Sequence, residues 1–253
     1  MTDTIARKVI IKNLSTVVRD AEITGALPSF QKLVSQDFFS KWGIDAALSF
    51  VGKDDPTPPD GYLLVVLDDA DQAGALGYHD LAQGGQPLGK VFAKTTKQYN
   101  GEWTVTFTHE LLEMLADPNI NLTAFDENAQ RAYMYEVCDA VEADNLGYQI
   151  DGVLVSDFVT PGWFEPTNVV PGEQFAFKSP VRAPFTLMPG GYIGYMDLRG
   201  GGWHQLTAQE IADARKLDIA TGGRGHIDGR ARVGSRRERR RTPKSQWLRS
   251  TRV

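Results

Sequence analysis

Cysteine is close to absent. Cys138 is the single thiol in 253 residues, which excludes an intrachain disulfide and any zinc cage built from cysteines. It fits a reducing compartment or indifference to redox state. No apolar run is long enough to span a bilayer, so no membrane association is expected. The opening residues, MTDTIARKVIIKNLS, lack the apolar stretch of a secretory signal, and the cytoplasm is the expected compartment. Familiar catalytic signatures are missing as well. No Gly-x-Gly-x-x-Gly follows a strand-like run, and no Gly-x-Ser-x-Gly elbow occurs. The Glu-x-x-His of di-iron carboxylate proteins does not occur even once. GGQPLGK (Gly84–Lys90) has phosphate-loop spacing, but Val91 stands where a metal-binding Ser or Thr belongs and a strand-like run follows instead of a helix. It reads as a turn. Histidine is scarce, confined to His79, His109, His204 and His226.

What is present suffices for one large domain: 42% of residues are hydrophobic, enough for a real core. The net charge of −5 hides an asymmetry. From Gly222 onward eleven Lys+Arg face two Asp+Glu, so this segment carries +9 and the remainder −14. The expected organisation is a folded body over residues 1–221 and a basic arm over residues 222–253. The arm has too little apolar content to fold alone. Its expected partners are a polyanion, either nucleic acid or an acidic protein surface, or neighbouring subunits, with Trp247 available to pack or stack.

Periodicity predicts strands at KVIIKNL (Lys8–Leu14), ALSFV (Ala47–Val51), YLLVVLDD (Tyr62–Asp69), KVFAKTT (Lys90–Thr96) and WTVTF (Trp103–Phe107). Leu27-Pro28-Ser29 opens a helix whose apolar face carries Phe30, Leu33, Val34 and Phe38. The stretch ALGYHDLAQGGQPLG is glycine-punctuated and reads as a loop. Beyond Pro118 the runs RAYMYEVCDAVEAD and GYQIDGVLVSDFVTPGWF are strand-like, and PFTLMPGGYIGYMDLRGGGW reads as a hairpin or irregular pair. Thr207 and Glu210 form a capping box opening a last helix. Mixed strands with a long helix packed on them, followed by an irregular strand-rich half, make the fold class α+β.

THELLEMLADP (Thr108–Pro118) carries the chemistry. On a helix, His109 and Glu113 share a face, Asp117 follows one turn later, and Glu110 lies about 100° around. Leu111, Leu112, Met114 and Leu115 cover the opposite side. A solvated charged stripe would produce the same pattern. Against that reading, acidic residues recur at Glu136, Asp139 and Glu142 within an apolar stretch, where burying an unpaired carboxylate is costly and a metal ion would serve as partner.

The order of elements and the His-Glu-x-x-Glu helix resemble the zincin metallopeptidases, in which His-Glu-x-x-His follows a mixed sheet and its edge strand. The match runs from Lys8 to Phe164, and with ALGYHDL and EVCDAVE included the chain is similar to bacterial and phage proteins carrying the same variant helix. The resemblance implies that His109 is the first metal ligand, that Glu110 is the general base, and that Glu113 replaces the second histidine. It makes KVFAKTT the edge strand that pairs with a peptide or protein substrate. Glu136 is the expected third ligand, with Asp139 and Glu142 as rivals. Strand alternation puts Glu136 and Asp139 on opposite faces and Cys138 with Glu136. Tyr135, like Tyr133, is a candidate oxyanion donor, although alternation turns both away from Glu136. His79 is a candidate substrate or ligand contact, and His204 a weaker one. The implied cofactor is one divalent ion, zinc first, with manganese, magnesium or calcium suited to an oxygen-rich shell. Two functions follow: metal-dependent peptide hydrolysis, or a non-catalytic assembly protein of a phage particle (virion, capsid or tail) that keeps the fold.

Overall fold

A computed structural model describes residues 7–213 except 73, 167, 168 and 170. The arm at residues 222–253, with His226 and Trp247, lies outside the described residues. The first half is a five-stranded sheet of β1 (Arg7–Asn13), β2 (Ala46–Val51), β3 (Tyr62–Leu67), β4 (Gly77–Leu81) and β5 (Pro87–Phe92), in the order β2-β1-β3-β5-β4. All neighbours run parallel except β4, which pairs antiparallel with β5 and forms one edge. Alternation along β1 and β3 fills both faces. Val9, Ile11, Leu64 and Val66 point into the main core, while Ile10, Leu63 and Val65 build a smaller cluster behind the sheet with Leu88.

Helix α1 (Asp20–Lys32) runs through a π-helical stretch (Leu33–Phe38) into α2 (Phe39–Trp42) and covers the main core with Ile23, Phe30, Leu33, Val34 and Phe38. The segment ends at Gly43, whose φ of 63° is the left-handed stop that glycine tolerates. Its start differs from expectation: the helix begins at Asp20, where the Glu22 carboxylate accepts the Arg19 N–H at 3.0 Å. Pro28 therefore sits in the interior, on the exposed side, where water reaches the Thr24 carbonyl left without its usual donor.

Three more elements depart from the sequence reading. Gly77–Leu81 is a strand, although its glycine-rich flanks suggested a loop. KVFAKTT is a strand only to Phe92; Ala93–Gln98 is helix α3, because the Asp68 carbonyl accepts the N–H groups of Lys94 and Thr95 and turns the chain. β5 lies between β3 and β4, so the edge role expected of KVFAKTT falls to β4. WTVTF is the opening of helix α4 (Trp103–Ala116). Trp103 and Phe107, four apart, share one face and pack on Phe30, with the Phe30 and Phe107 rings stacked at 4.5 Å. That pairing outweighs the β-branched propensity of the run.

The second half holds a four-stranded antiparallel sheet of β6 (Thr123–Asp126), β7 (Arg131–Met134), β10 (Tyr192–Asp197) and β11 (Trp203–Thr207), in the order β11-β10-β7-β6. A separate hairpin joins β8 (Tyr148–Ile150) to β9 (Val153–Val155) through Asp151 and Gly152, both at positive φ. Thr207 and Glu210 do form the capping box, with the Glu210 N–H donating to Thr207 Oγ1 at 3.1 Å. The architecture is α+β, with α4 packed between β4, β5 and β9. No helix among the described residues is long and apolar enough to cross a membrane.

Candidate metal centre on helix α4

Every side chain from Val105 to Ala116 is buried, so the polar stripe of α4 is not a solvated face. The helix is pinned at both ends. At its start the Asp144 carboxylate accepts the Glu102 N–H at 2.7 Å. At its end Asp117 accepts the N–H groups of Asn121 and Leu122, which makes it the turn residue that stops the helix. In between, Thr108 Oγ1 donates to the Thr104 carbonyl and accepts the Ser156 N–H at 2.9 Å, tying the helix to the chain just after β9.

Three elements converge on the polar stripe. His79 comes from β4, and His109, Glu110 and Glu113 from α4. Glu136, Cys138 and Asp139 come from the segment after β7, which leaves strand conformation at Met134 and enters a 3-10 turn at Asp139. Because that segment is not extended, strand alternation does not apply. Glu136 and Asp139 both reach the centre, where alternation had predicted only one. His109 Nε2 stands 3.2 Å from Glu113 Oε1 and 3.2 Å from Asp139 Oδ1. His79 Nδ1 stands 3.6 Å from Glu113 Oε2 and 3.7 Å from Glu110 Oε2, and its Nε2 is 3.6 Å from Glu136 Oε2. The Cys138 N–H donates to Glu113 Oε1 at 3.2 Å. Donor atoms of His109, Glu113 and Cys138 lie within 4.8 Å of one another, as do those of His79, Glu110 and Glu113.

These groups could hold a metal ion. The distances fit that chemistry: two donors each about 2.0–2.2 Å from an ion, near the tetrahedral angle, stand about 3.3–3.6 Å apart. Imidazole and thiolate beside carboxylate suit zinc, and imidazole with carboxylates alone suits zinc or manganese. The electrostatics point the same way. Burial lowers the pKa of His79, but Glu136, Glu110 and Glu113 outweigh it and raise the group above its ordinary value. Burial pushes the Cys138 thiol well up, and Glu113 adds to the rise. The site therefore favours positive charge and resists further negative charge until a cation reverses the balance.

Gly77 explains how α4 comes so close to β4. A Cβ there would stand 2.7 Å from Glu110 Oε1, 2.8 Å from Glu110 Cγ and 2.9 Å from the Lys90 carbonyl. Gly77 and His79, two apart on β4, face the helix together. Sequence reasoning gave His79 a minor role; a glycine two residues before a histidine in a potential strand was the available signal, and neighbouring glycines masked it.

The remaining candidates fall elsewhere. Tyr135 stacks on Phe164 at 4.1 Å and packs edge-on against Trp42, forming an aromatic wall, and burial raises its hydroxyl pKa. Tyr133 stacks on Phe185. Glu142 is half-buried at the end of the 3-10 turn and belongs to neither donor group. His204 lies on β11, stacked on Tyr195. Gly84 and Gly85 take positive φ between β4 and β5, so GGQPLGK is a turn leading into a strand. Comparison with protein-family models, curated proteins and solved structures gives no match to this chain.

Proposed function

We propose that this protein is a zincin-like metalloprotein that binds a divalent ion, zinc first, through His109, Glu113 and Cys138, with Asp139 beside His109, and that its reaction is peptide-bond hydrolysis. One observation carries the reading: a buried histidine and glutamate four apart on α4 meet a thiol and a carboxylate from a separate segment at ligand spacing. Glu136, the third ligand expected from the sequence, stands against His79 instead, so in this proposal its place passes to Cys138. The bound ion would supply Lewis-acid polarisation of a carbonyl oxygen. Glu110, next in chain to His109 and fully buried, supplies a carboxylate to take a proton from the attacking water. β4, the antiparallel edge strand, offers the backbone for an extended peptide.

A second reading, a non-catalytic assembly protein of a phage particle, draws on the closure of the site: His79, His109, Glu110, Glu113, Glu136 and Asp139 are all 7% exposed or less. Structural zinc sites are closed in this way, whereas catalytic ones keep an open position. Elemental analysis of the purified protein tests metal binding, and Glu110→Gln separates the two functions. In an enzyme this variant keeps the ion at His109 and loses about 10²-fold or more in turnover. Wild-type protein that cleaves nothing in a broad peptide library, with zinc and with manganese, supports the assembly reading. In either case the basic arm is proposed to contact nucleic acid, an acidic protein or a neighbouring subunit, in the cytoplasm or within a virion.

A further inference from the structure

An ion at His109 leaves the His79 side of the centre unexplained. The His79 side chain is 2% exposed, and neither ring nitrogen has a hydrogen-bond partner. A buried imidazole is normally anchored through at least one nitrogen. Here Nδ1 faces Glu113 and Glu110 at 3.6 and 3.7 Å, and Nε2 faces Glu136 at 3.6 Å. These separations exceed hydrogen-bond length. The two at Nδ1 are close to the edge of a tetrahedral ligand set, about 3.3–3.6 Å. Glu113 divides its oxygens: Oε1 faces His109 and Oε2 faces His79. The two groups of potential ligands share only Glu113.

We infer that the centre is built for two divalent ions bridged by Glu113. The first is the ion proposed above at His109, and this inference rests on that reading. The second sits between His79 Nδ1, Glu110 Oε2 and Glu113 Oε2. Glu136 faces Nε2 at 3.6 Å and, with the ion bound at Nδ1, would close on the Nε2–H as the outer carboxylate that orients a ligating histidine. A carboxylate bridge holds the ions about 3.5–4 Å apart. Two divalent ions bring four positive charges to the four carboxylates Glu110, Glu113, Glu136 and Asp139, each 2% exposed or less. Gly77 is part of the design, because any side chain there would push Glu110 out of the second seat. With one ion bound Glu110 is the base; with two it is a ligand. The donor sets also differ in softness. Only the first includes a thiol, so cobalt at that seat gives a thiolate charge-transfer band and cobalt at the second does not.

The test uses the full-length chain, stripped with a chelator and titrated with cobalt(II), with bound metal measured after gel filtration. Two equivalents per chain are expected, with the thiolate band complete after one. His79→Ala and the nearly isosteric Glu110→Gln should each bind one equivalent and keep the band. Manganese(II) loading of the unaltered protein should give a spin-coupled resonance spectrum, which needs no variant to fold. One equivalent in wild type, unchanged in both variants, or uncoupled manganese, overturns the second seat and leaves the first standing. No bound metal removes both.

Discussion

Gly77→Ala is the sharpest perturbation of the α4–β4 contact. The added methyl group would meet Glu110 Oε1 at 2.7 Å, Glu110 Cγ at 2.8 Å and the Lys90 carbonyl at 2.9 Å, all closer than real Cβ contacts. The carboxylate can swing away, but the Lys90 carbonyl is fixed in the β4–β5 ladder and cannot. Overpacking of this kind costs about 1–3 kcal/mol. At about 2–4 °C per kcal/mol for a body of this size, Tm should fall by about 2–12 °C, measured by calorimetry with the metal removed. Glu110→Ala removes two of the three clashes. Gly77→Ala should therefore cost less in the Glu110→Ala background, with the residual cost reporting Lys90 alone. The variant should also displace Glu110 and weaken the second ion seat while sparing the first. An unchanged Tm, or a penalty identical in both backgrounds, would refute the close approach of α4 to β4.

Other outcomes follow from separate contacts. Thr108→Val removes the acceptor of the buried Ser156 N–H and should destabilise the body by about 1–3 kcal/mol in urea unfolding, more than an exposed Thr→Val change. Asp68 is raised by partial burial but lowered further by Ser15, Thr16 and Val17, which bring its pKa to about 2 from 3.8. A folded-state pKa below the unfolded one gives stability that is present above about pH 4 and lost as pH falls toward about 2. The Tm gap between wild type and Asp68→Asn should close across that window, and a gap independent of pH contradicts the assignment. Deleting residues 222–253 should leave the Tm of the body unchanged while abolishing salt-sensitive association with nucleic acid or an acidic partner, measured from roughly 50 to 200 mM salt. Unfolding on truncation would make the arm part of the core.

The amino-acid sequence by itself determined the elements whose signal is local. An alternating run marked β1, and a near-continuous apolar run marked β3 because both faces of that central strand are covered. His109 and Glu113 were legible as neighbours, since four-residue spacing on a helix brings them together whatever surrounds it. Tertiary structure decided the rest. Trp103–Phe107 became helix because Phe30, far away in sequence, offers a ring to stack on. Gly77–Leu81 became a strand because the neighbouring β5 supplies its ladder, and that pairing turns His79 toward α4. Glu136 and Asp139 reached the same centre because the chain abandons strand geometry after Met134, where periodicity no longer tells which way a side chain points. Spacing along the chain records which residues share a face of one element. Which faces meet depends on long-range packing, so the partners of His79, Glu110 and Glu113 were not written in any single stretch.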